Sequence, residues 1–406
     1  MTERRLPRWS ELRPLLALRP PQLDPTARRL ARAASVRDLR AIARKRAPRA
    51  VFDYADGAAD DEIGLRRARQ AFERVELVPS VLRDVSAIDT STTILGRHAA
   101  LPLIFAPTGF TRMFHHEGER AVARVAQRIG IPTGLSTAGT TTIEALAAAA
   151  PEVAKWFQLY VLPDRGASAE LVTRAQAAGY HALAFTVDVP VAGLRLRDVH
   201  NGLFFPPQPT LRTLGDMALH PAWWMNLLTT DPLRFASLTS APTTIARSAA
   251  LFDAALKPAD VTWLRELWDG PLVVKGILTA TDARVAVDHG ADAVVVSSHG
   301  SRQLDRSPTP LEVLPEVVAA VGDRAEVFLD SGILSGAEVF AAVALGARAC
   351  LGARSYCYGL MAGGERGVQR AADLLHAEIV RTMALLGVSA VGDLTADRVR
   401  LRAASA

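Results

Sequence analysis

His299 is the residue around which chemistry most readily assembles. It stands just past the apolar run Ala293 to Ser297 and is followed by Gly300 and Arg302. An imidazole there can accept a proton near neutral pH, although a core histidine satisfied by a backbone carbonyl has the same local sequence. Asp188 closes another apolar run, and its carboxylate could orient the imidazole and stabilise its charged form, as in a dyad. A turn or cap is the alternative for Asp188. Arg195 and Arg302 lie just past two of these runs; paired guanidinium groups suit a substrate carboxylate, and structural ion pairs would use the same residues. Asp330-Ser331-Gly332-Ile333-Leu334-Ser335-Gly336 puts small residues where a strand turns into a helix. That turn predicts backbone N–H groups free for an anion at the helix N-terminus, with Arg354 as a cation for it. His115-His116-Glu117 lacks the spacing of a helical metal pair and reads as a helix start.

These residues share a place in a rhythm. Eight short apolar runs, each leading into an amphipathic stretch rich in Ala, Glu and Arg, begin near residue 100. They are Leu101 to Ala106, Thr133 to Ser136, Trp156 to Tyr160, Ala182 to Val187, Leu272 to Lys275, Ala293 to Ser297, Val327 to Asp330 and Ala349 to Gly352. Strands alternating with helices imply βαβ units, and eight of them predict a closed α/β barrel, (β/α)8, over an open doubly wound sheet. Barrel enzymes carry their chemistry at the C-terminal strand ends. Here those ends read Pro107-Thr108-Gly109, Ser136-Thr137, Gln158 and Tyr160, Thr186 and Asp188, Lys275-Gly276, His299-Gly300 with Arg302, Asp330-Ser331-Gly332, and Arg354. Polar and ionisable side chains therefore gather at one mouth.

Around this barrel the sequence predicts a basic N-terminal extension over 1–33, a barrel domain over 34–388 and a C-terminal tail over 389–406. Asp24-Pro25 and Ser35 with Asp38 look like helix starts, the second a capping box before a helix over about 36–46. One long insertion, about 189–260, follows the fourth strand on the mouth side. It holds Pro206-Pro207, Pro209 and the apolar cluster Pro221-Ala222-Trp223-Trp224-Met225 with Leu227-Leu228. Loops of this length in compact domains are usually functional or disordered.

Composition limits the rest. In 406 residues, 49% are hydrophobic and 22% charged, which suits a large packed core and excludes collagen-like or disordered chains. Cys350 and Cys357 are too few for a disulfide framework or a structural zinc site and fit a reducing, cytoplasmic setting. The net charge of +5 is local: residues 1–50 hold 14 Lys and Arg against 4 Asp and Glu. Such a start fits a transit peptide, a nucleic-acid arm or an anionic lipid contact. No aromatic-studded basic motif accompanies it, so the reading is no nucleic acid. No apolar run reaches the roughly 18 residues of a membrane span.

From about residue 34 to 388 the chain resembles the FMN-dependent α-hydroxy acid dehydrogenases and oxidases, and among them the bacterial respiratory L-lactate dehydrogenases. The resemblance rests on Ser297-Ser298-His299-Gly300-Ser301-Arg302-Gln303-Leu304-Asp305, Phe157-Gln158-Leu159-Tyr160 and Thr186-Val187-Asp188, with Val51-Phe52-Asp53-Tyr54 and Leu272-Val273-Val274-Lys275-Gly276. It implies oxidation of an L-2-hydroxy acid, most simply L-lactate, with electrons passed to a quinone, a cytochrome or dioxygen. His299 would be the base, with Asp188 supporting it. Tyr54, Arg195 and Arg302 would bind the substrate carboxylate, and Tyr160 would meet its hydroxyl. For the flavin, Pro107, Thr108 and Gly109 would pack at the ring, with Ser136, Gln158 and Thr186 at its polar edge and Lys275 near N1. Asp330, Ser331 and Gly332 would take the ribityl and phosphate region, and Ala353 and Arg354 the phosphate.

Some positions depart from the family pattern. Ser298 stands where an asparagine is usual, Leu334 and Ser335 replace two arginines, and Ala353 replaces a glycine. One phosphate contact is therefore missing, which leaves open a substitute basic residue, weaker FMN binding or a redox-inactive scaffold. Another substrate, such as an aromatic 2-hydroxy acid or a biosynthetic intermediate, is the neighbouring enzyme reading. Gly109 sits where the family's oxidases tend to have Ala, which favours a dehydrogenase. The resemblance also implies a homotetramer or octamer. Trp223 and Trp224 imply peripheral contact with the inner face of the cell membrane, or packing against another subunit.

Overall fold

A computed structural model describes residues 5–13, 16, 22–203, 208–238 and 252–403. All eight apolar runs become strands: β1 (Leu103–Phe105), β2 (Thr133–Ser136), β3 (Lys155–Leu159), β4 (Ala182–Thr186), β5 (Leu272–Ile277), β6 (Ala293–Val296), β7 (Glu326–Asp330) and β8 (Ala349–Gly352). Each pairs in parallel with the next, and β8 pairs with β1, closing a (β/α)8 barrel. Parallel strands covered on both faces need apolar side chains on both, which is why they read as runs without alternation. Ile104, Trp156, Val273, Val295 and Phe328 fill the interior, while Leu103, Phe105, Phe157, Leu183 and Val294 face the helices.

The bottom of the barrel is closed by a two-stranded ribbon, Thr92–Ile94 with Arg97–Ala99. Ile94, Leu95 and Ala99 join the interior cluster. The Leu95 N–H reaches Glu326, at the start of β7, and its carbonyl meets His181, just before β4. Both partners lie at N-terminal strand ends, so the opposite, C-terminal face remains for the site.

Segments outside the barrel build over that face. Helix α1 (Val36–Arg46) begins at a reciprocal Ser35–Asp38 capping box. It packs along the final helix, Arg354–Leu386, and is followed by a helix over Arg49–Asp56 and by α2 (Ile63–Glu73). The insertion after β4 contains a short helix over Leu196–His200, then α3 (Leu211–Ala218) and α4 (Pro221–Leu228). Pro206-Pro207 lie outside the described residues. Near the C-terminus, Val399–Leu401 pairs antiparallel with Val75–Leu77.

Candidate functional site

The ends of β4, β5 and β6 bring the first group together. Asp188 Oδ1 lies 3.0 Å from His299 Nδ1, which leaves the Nε2 edge towards the cavity, 3.4 Å from the Tyr160 hydroxyl. Asp188 approaches so closely because β5 carries Gly276 at φ +111°, where a Cβ would stand 2.6 Å from that of Asp188. Burial raises the Asp188 carboxyl, but His299 and Lys275 outweigh it and hold the group below the ordinary carboxylate range. It is a carboxylate at neutral pH.

Lys275 is buried and bonds Asp330 Oδ2 at 2.9 Å and Ser297 Oγ at 3.0 Å. Burial disfavours its charge, yet Asp330 and Asp188 keep the ammonium above its usual value. Ser297 also donates to Asp330 at 2.7 Å and accepts the His299 N–H at 2.9 Å, so one hydroxyl ties three strand ends. His299 (φ 56°), Ser301 (φ 60°) and Ser331 (φ 85°) are all left-handed. Such backbone costs about 1–3 kcal/mol per residue and persists where its surroundings over-determine it. Ser331 Oγ supplies that constraint by accepting the N–H groups of Ser298 and Gly300. Ser298, for its part, meets Ser301 Oγ at 3.4 Å.

Two arginines converge from outside the barrel proper. Arg302 lies over the Tyr54 ring at 4.8 Å and donates to the carbonyls of Tyr54 and Gly57. Burial, reinforced by Arg195, pushes its pKa down to about 10. Arg195 is fixed by Asp198 at 2.7 Å. Burial opposes its charge, but Tyr54 and Asp198 more than restore it. Tyr54 is shifted upward chiefly by burial, and so is Tyr160.

Every candidate residue lines one cavity of about 890 Å³ except Asp188, Gln158 and Thr186, which sit behind its wall. That volume is within the roughly 300–1,000 Å³ of small-molecule and cofactor pockets. Pro107, Thr108 and Gly109 form part of the wall, and Thr108 is held by the Tyr356 hydroxyl, a residue the sequence did not mark. Phe110, Phe235 and Phe252 add an aromatic surface, Phe252 lying edge-on to Tyr160.

The strand-7 corner differs from expectation. The N–H groups of Leu334 and Ser335 are taken by Glu338, and that of Gly336 by Glu378, so three of the backbone donors at the start of the helix Gly336–Ala344 are already occupied. The capping box that stabilises this helix takes two of those donors and brings the Glu338 carboxylate to its start. Arg354 faces the carbonyls of Ala55, Gly57 and Gly300, and Ala353 precedes it on the cavity wall. The basic groups missing after Gly332 arrive instead from the N-terminal helices: Arg37, Arg66 and Arg69 line the same cavity, and Arg69 donates to the Gly332 carbonyl and pairs with Glu338. A helix-surface arginine gave no signal of this in the sequence.

Unsatisfied polar atoms show what the cavity lacks. Gln158 Nε2 and Thr186 Oγ1 are buried without a hydrogen-bond partner among the described residues, although Gln158 Oε1 accepts from Ser136 at 2.7 Å. In register, Ser136 stands beside Gln158 and Thr186 beside Lys275. Buried polar groups are normally paired, and the polar edge of a flavin ring carries both the acceptors and the donor that this row needs. FMN therefore fits the residues present: Ser136 and Lys275 on the cavity wall, with Gln158 and Thr186 directly behind it, would hold the polar edge of its ring.

A barrel whose mouth takes a planar polar cofactor beside a His–Asp pair defines a class, the cofactor-dependent barrel oxidoreductases. Comparison with known proteins narrows it: the model of the FMN-dependent dehydrogenases matches residues 43–401, and the chain belongs to that family. It is 51% identical over 397 residues to a Mycobacterium tuberculosis protein named, provisionally, as an L-lactate dehydrogenase (98% of this chain, 96% of the relative). It is 38% identical over 365 residues to glycolate oxidase of Spinacia oleracea (90% and 95%). Among solved structures it resembles a monotopic membrane protein, (S)-mandelate dehydrogenase, with a TM-score of 0.88 and 37% identity over 91% of this chain and 100% of that one.

Proposed function

We propose that the chain oxidises an L-2-hydroxy acid to the 2-oxo acid, with L-lactate as the first substrate. The observation that carries this is the convergence of His299, Tyr160, Tyr54, Arg195 and Arg302 on one cavity wall, beside the row of residues that fits a flavin. The relatives named for lactate and glycolate support the substrate class. Bound FMN supplies a two-electron acceptor, from which a quinone, a cytochrome or dioxygen takes the electrons. Arg195 and Arg302 bind the carboxylate, and the Tyr54 and Tyr160 hydroxyls orient the substrate end that bears the reacting carbon. His299 takes a proton at Nε2, and Asp188 at Nδ1 fixes the ring orientation and stabilises the imidazolium. Lys275, whose ammonium is held by Asp330 and Ser297, would supply positive charge beside the edge of the bound cofactor.

The aromatic surface of Phe110, Phe235 and Phe252 favours a second reading, an aromatic 2-hydroxy acid. An anaerobic absorbance titration of the FMN-loaded protein separates the two. L-lactate is expected to bleach the flavin band; bleaching by L-mandelate alone selects the aromatic substrate, and bleaching by neither overturns the 2-hydroxy acid assignment. Slow peroxide formation in air is the outcome expected of a dehydrogenase.

Contact with a lipid surface belongs to the same proposal. No helix among the described residues is long and apolar enough to cross a membrane. On α3, α4 and the turn between them, however, Leu211, Leu219 and Leu228 are 89%, 79% and 74% exposed, and Met225 is half exposed. Exposed leucines on paired short helices match an interfacial, monotopic mode of binding, and the mandelate dehydrogenase it resembles is described as monotopic. Trp223 is not part of the exposed face: it is half-buried and its indole N–H is bonded to the Met113 carbonyl.

A further inference from the structure

A second cavity, of about 310 Å³, lies between α4 and the barrel, outside the site described above. Its wall on the insertion side is Ala222, Trp223, Asn226 and Leu227, and its floor includes His115 and His116. Four arginines line it: Arg29, Arg46, Arg112 and Arg366. They come from three separate parts of the chain, so the cluster is a product of the fold and not of a basic stretch.

Its charge is not balanced by the protein. Glu117 and Glu365 also line the cavity, but Glu365 pairs with Arg124 and Arg128, and Glu117 is shared between His115, Arg124 and the Glu365 N–H. Arg366 is paired with Asp24. Among the described residues the hydrogen bonds of Arg29 go to neutral oxygens, the Ala362 carbonyl and the Thr26 hydroxyl, and those of Arg112 likewise to the Thr230 hydroxyl and the Asp231 carbonyl. Arg46 has no hydrogen-bond or ion-pair partner among the described residues. Repulsion is felt at the neighbours: burial, then Arg46 and Arg366, lower the Arg29 guanidinium, and burial, with His116 and Arg46 behind it, holds His115 down at about 4 against the pull of Glu117.

We propose that this cavity binds a phosphate group. Arg29, Arg46 and Arg112, which form no ion pair among the described residues, offer beside a neutral imidazole the charge and the forked donors that phosphate oxygens require. The volume is at the small end of ligand pockets and suits a phosphate with a short polar attachment. Two sources present that chemistry: a soluble phosphate ester, or the headgroup of an anionic lipid, since the helix that walls the cavity exposes Met225 and Leu228 on its other side. Phe114 lines both this cavity and the larger one, so an occupant here would rest against a wall of the active site.

Protein saturated with FMN is titrated with inorganic phosphate by calorimetry, and separately floated with vesicles of phosphatidylcholine with and without phosphatidic acid. Wild type is expected to bind phosphate at a single saturable site or to bind the phosphatidic acid vesicles selectively. The first result assigns a soluble source and the second a lipid headgroup. Arg46→Gln should weaken the binding about tenfold, the value of one charge-assisted contact, and Arg46→Glu should remove it. Arg46 is exposed and has no partner among the described residues, so both variants keep the flavin spectrum and the melting temperature of wild type. Leu228→Glu should spare phosphate binding, which separates this site from the apolar contact. Binding that is equal in wild type and both Arg46 variants, or absent with phosphate and with either vesicle, overturns the proposal.

Discussion

At the scale of single residues the site is a set of buried charges that hold one another in place. Lys275 and Asp330 are the innermost pair, and their effect on stability has a definite sign. Burial would raise the Asp330 carboxyl, but Lys275 and Ser297 bring it below its ordinary value. Its stabilising contribution is then complete above the unfolded carboxylate pKa of about 4 and is lost as pH falls through the lower folded value. Lys275 is raised in the folded protein, so its contribution is complete below about pH 10 and is lost as pH climbs through the higher folded value. Urea unfolding should therefore show a plateau between those limits and falling stability on both sides. Lys275→Met leaves Asp330 buried without its partner and should cost about 3–5 kcal/mol at pH 7; equal stability of variant and wild type would show that the pair contributes nothing. His299→Gln tests the chemistry separately. It should lower the rate of flavin reduction by about 10²–10⁴-fold while FMN still binds, and an unchanged rate would remove His299 from the reaction.

At the scale of elements, the sequence was legible where a strand is buried on both faces. Most runs from Leu101 to Gly352 carry enough Val, Leu, Ile and Ala to announce themselves, Thr133–Ser136 and Trp156–Tyr160 being read from their place in the rhythm, and the strand ends then delivered Asp188, Lys275 and His299. Elements outside the barrel were harder to place. Whether the helix Gly336–Ala344 has free donors depends on Glu378, 42 residues further on, and Arg69 looks no different in sequence from its exposed neighbours Arg66 and Arg67. Trp223 shows a related limit: an aromatic side chain signals an interface without saying which one, and this one bonds inward to Met113. The outward face belongs to leucines. Leu211→Glu with Leu228→Glu should abolish flotation with anionic vesicles and leave oxidation of soluble substrate at the wild-type rate, because neither residue lines the active-site cavity. Undiminished flotation would move the contact off α3 and α4.

For the whole molecule, the cavity joins parts of the chain that the barrel alone does not connect. Its walls come from the strand ends, from the insertion and from the N-terminal helices, with Arg69 of α2 reaching Gly332 beyond β7. A ligand that touches all of them stabilises the native state by RT ln(1 + [L]/Kd), about 2.7 kcal/mol at a hundredfold excess over Kd. FMN should therefore raise the melting temperature more than riboflavin does, since only the phosphate end engages the basic corner. Arg69→Met should narrow that gap, by the equivalent of about 1.4 kcal/mol for a tenfold loss of affinity. Comparing FMN with riboflavin inside each variant cancels the cost of losing the Arg69–Glu338 pair, which both complexes share. If Arg69→Met melts lower but keeps the full gap, Arg69 only braces α2 against the barrel and the phosphate is held elsewhere; if the gap closes, a helix outside the barrel has taken over the anchoring that Leu334 and Ser335 cannot provide.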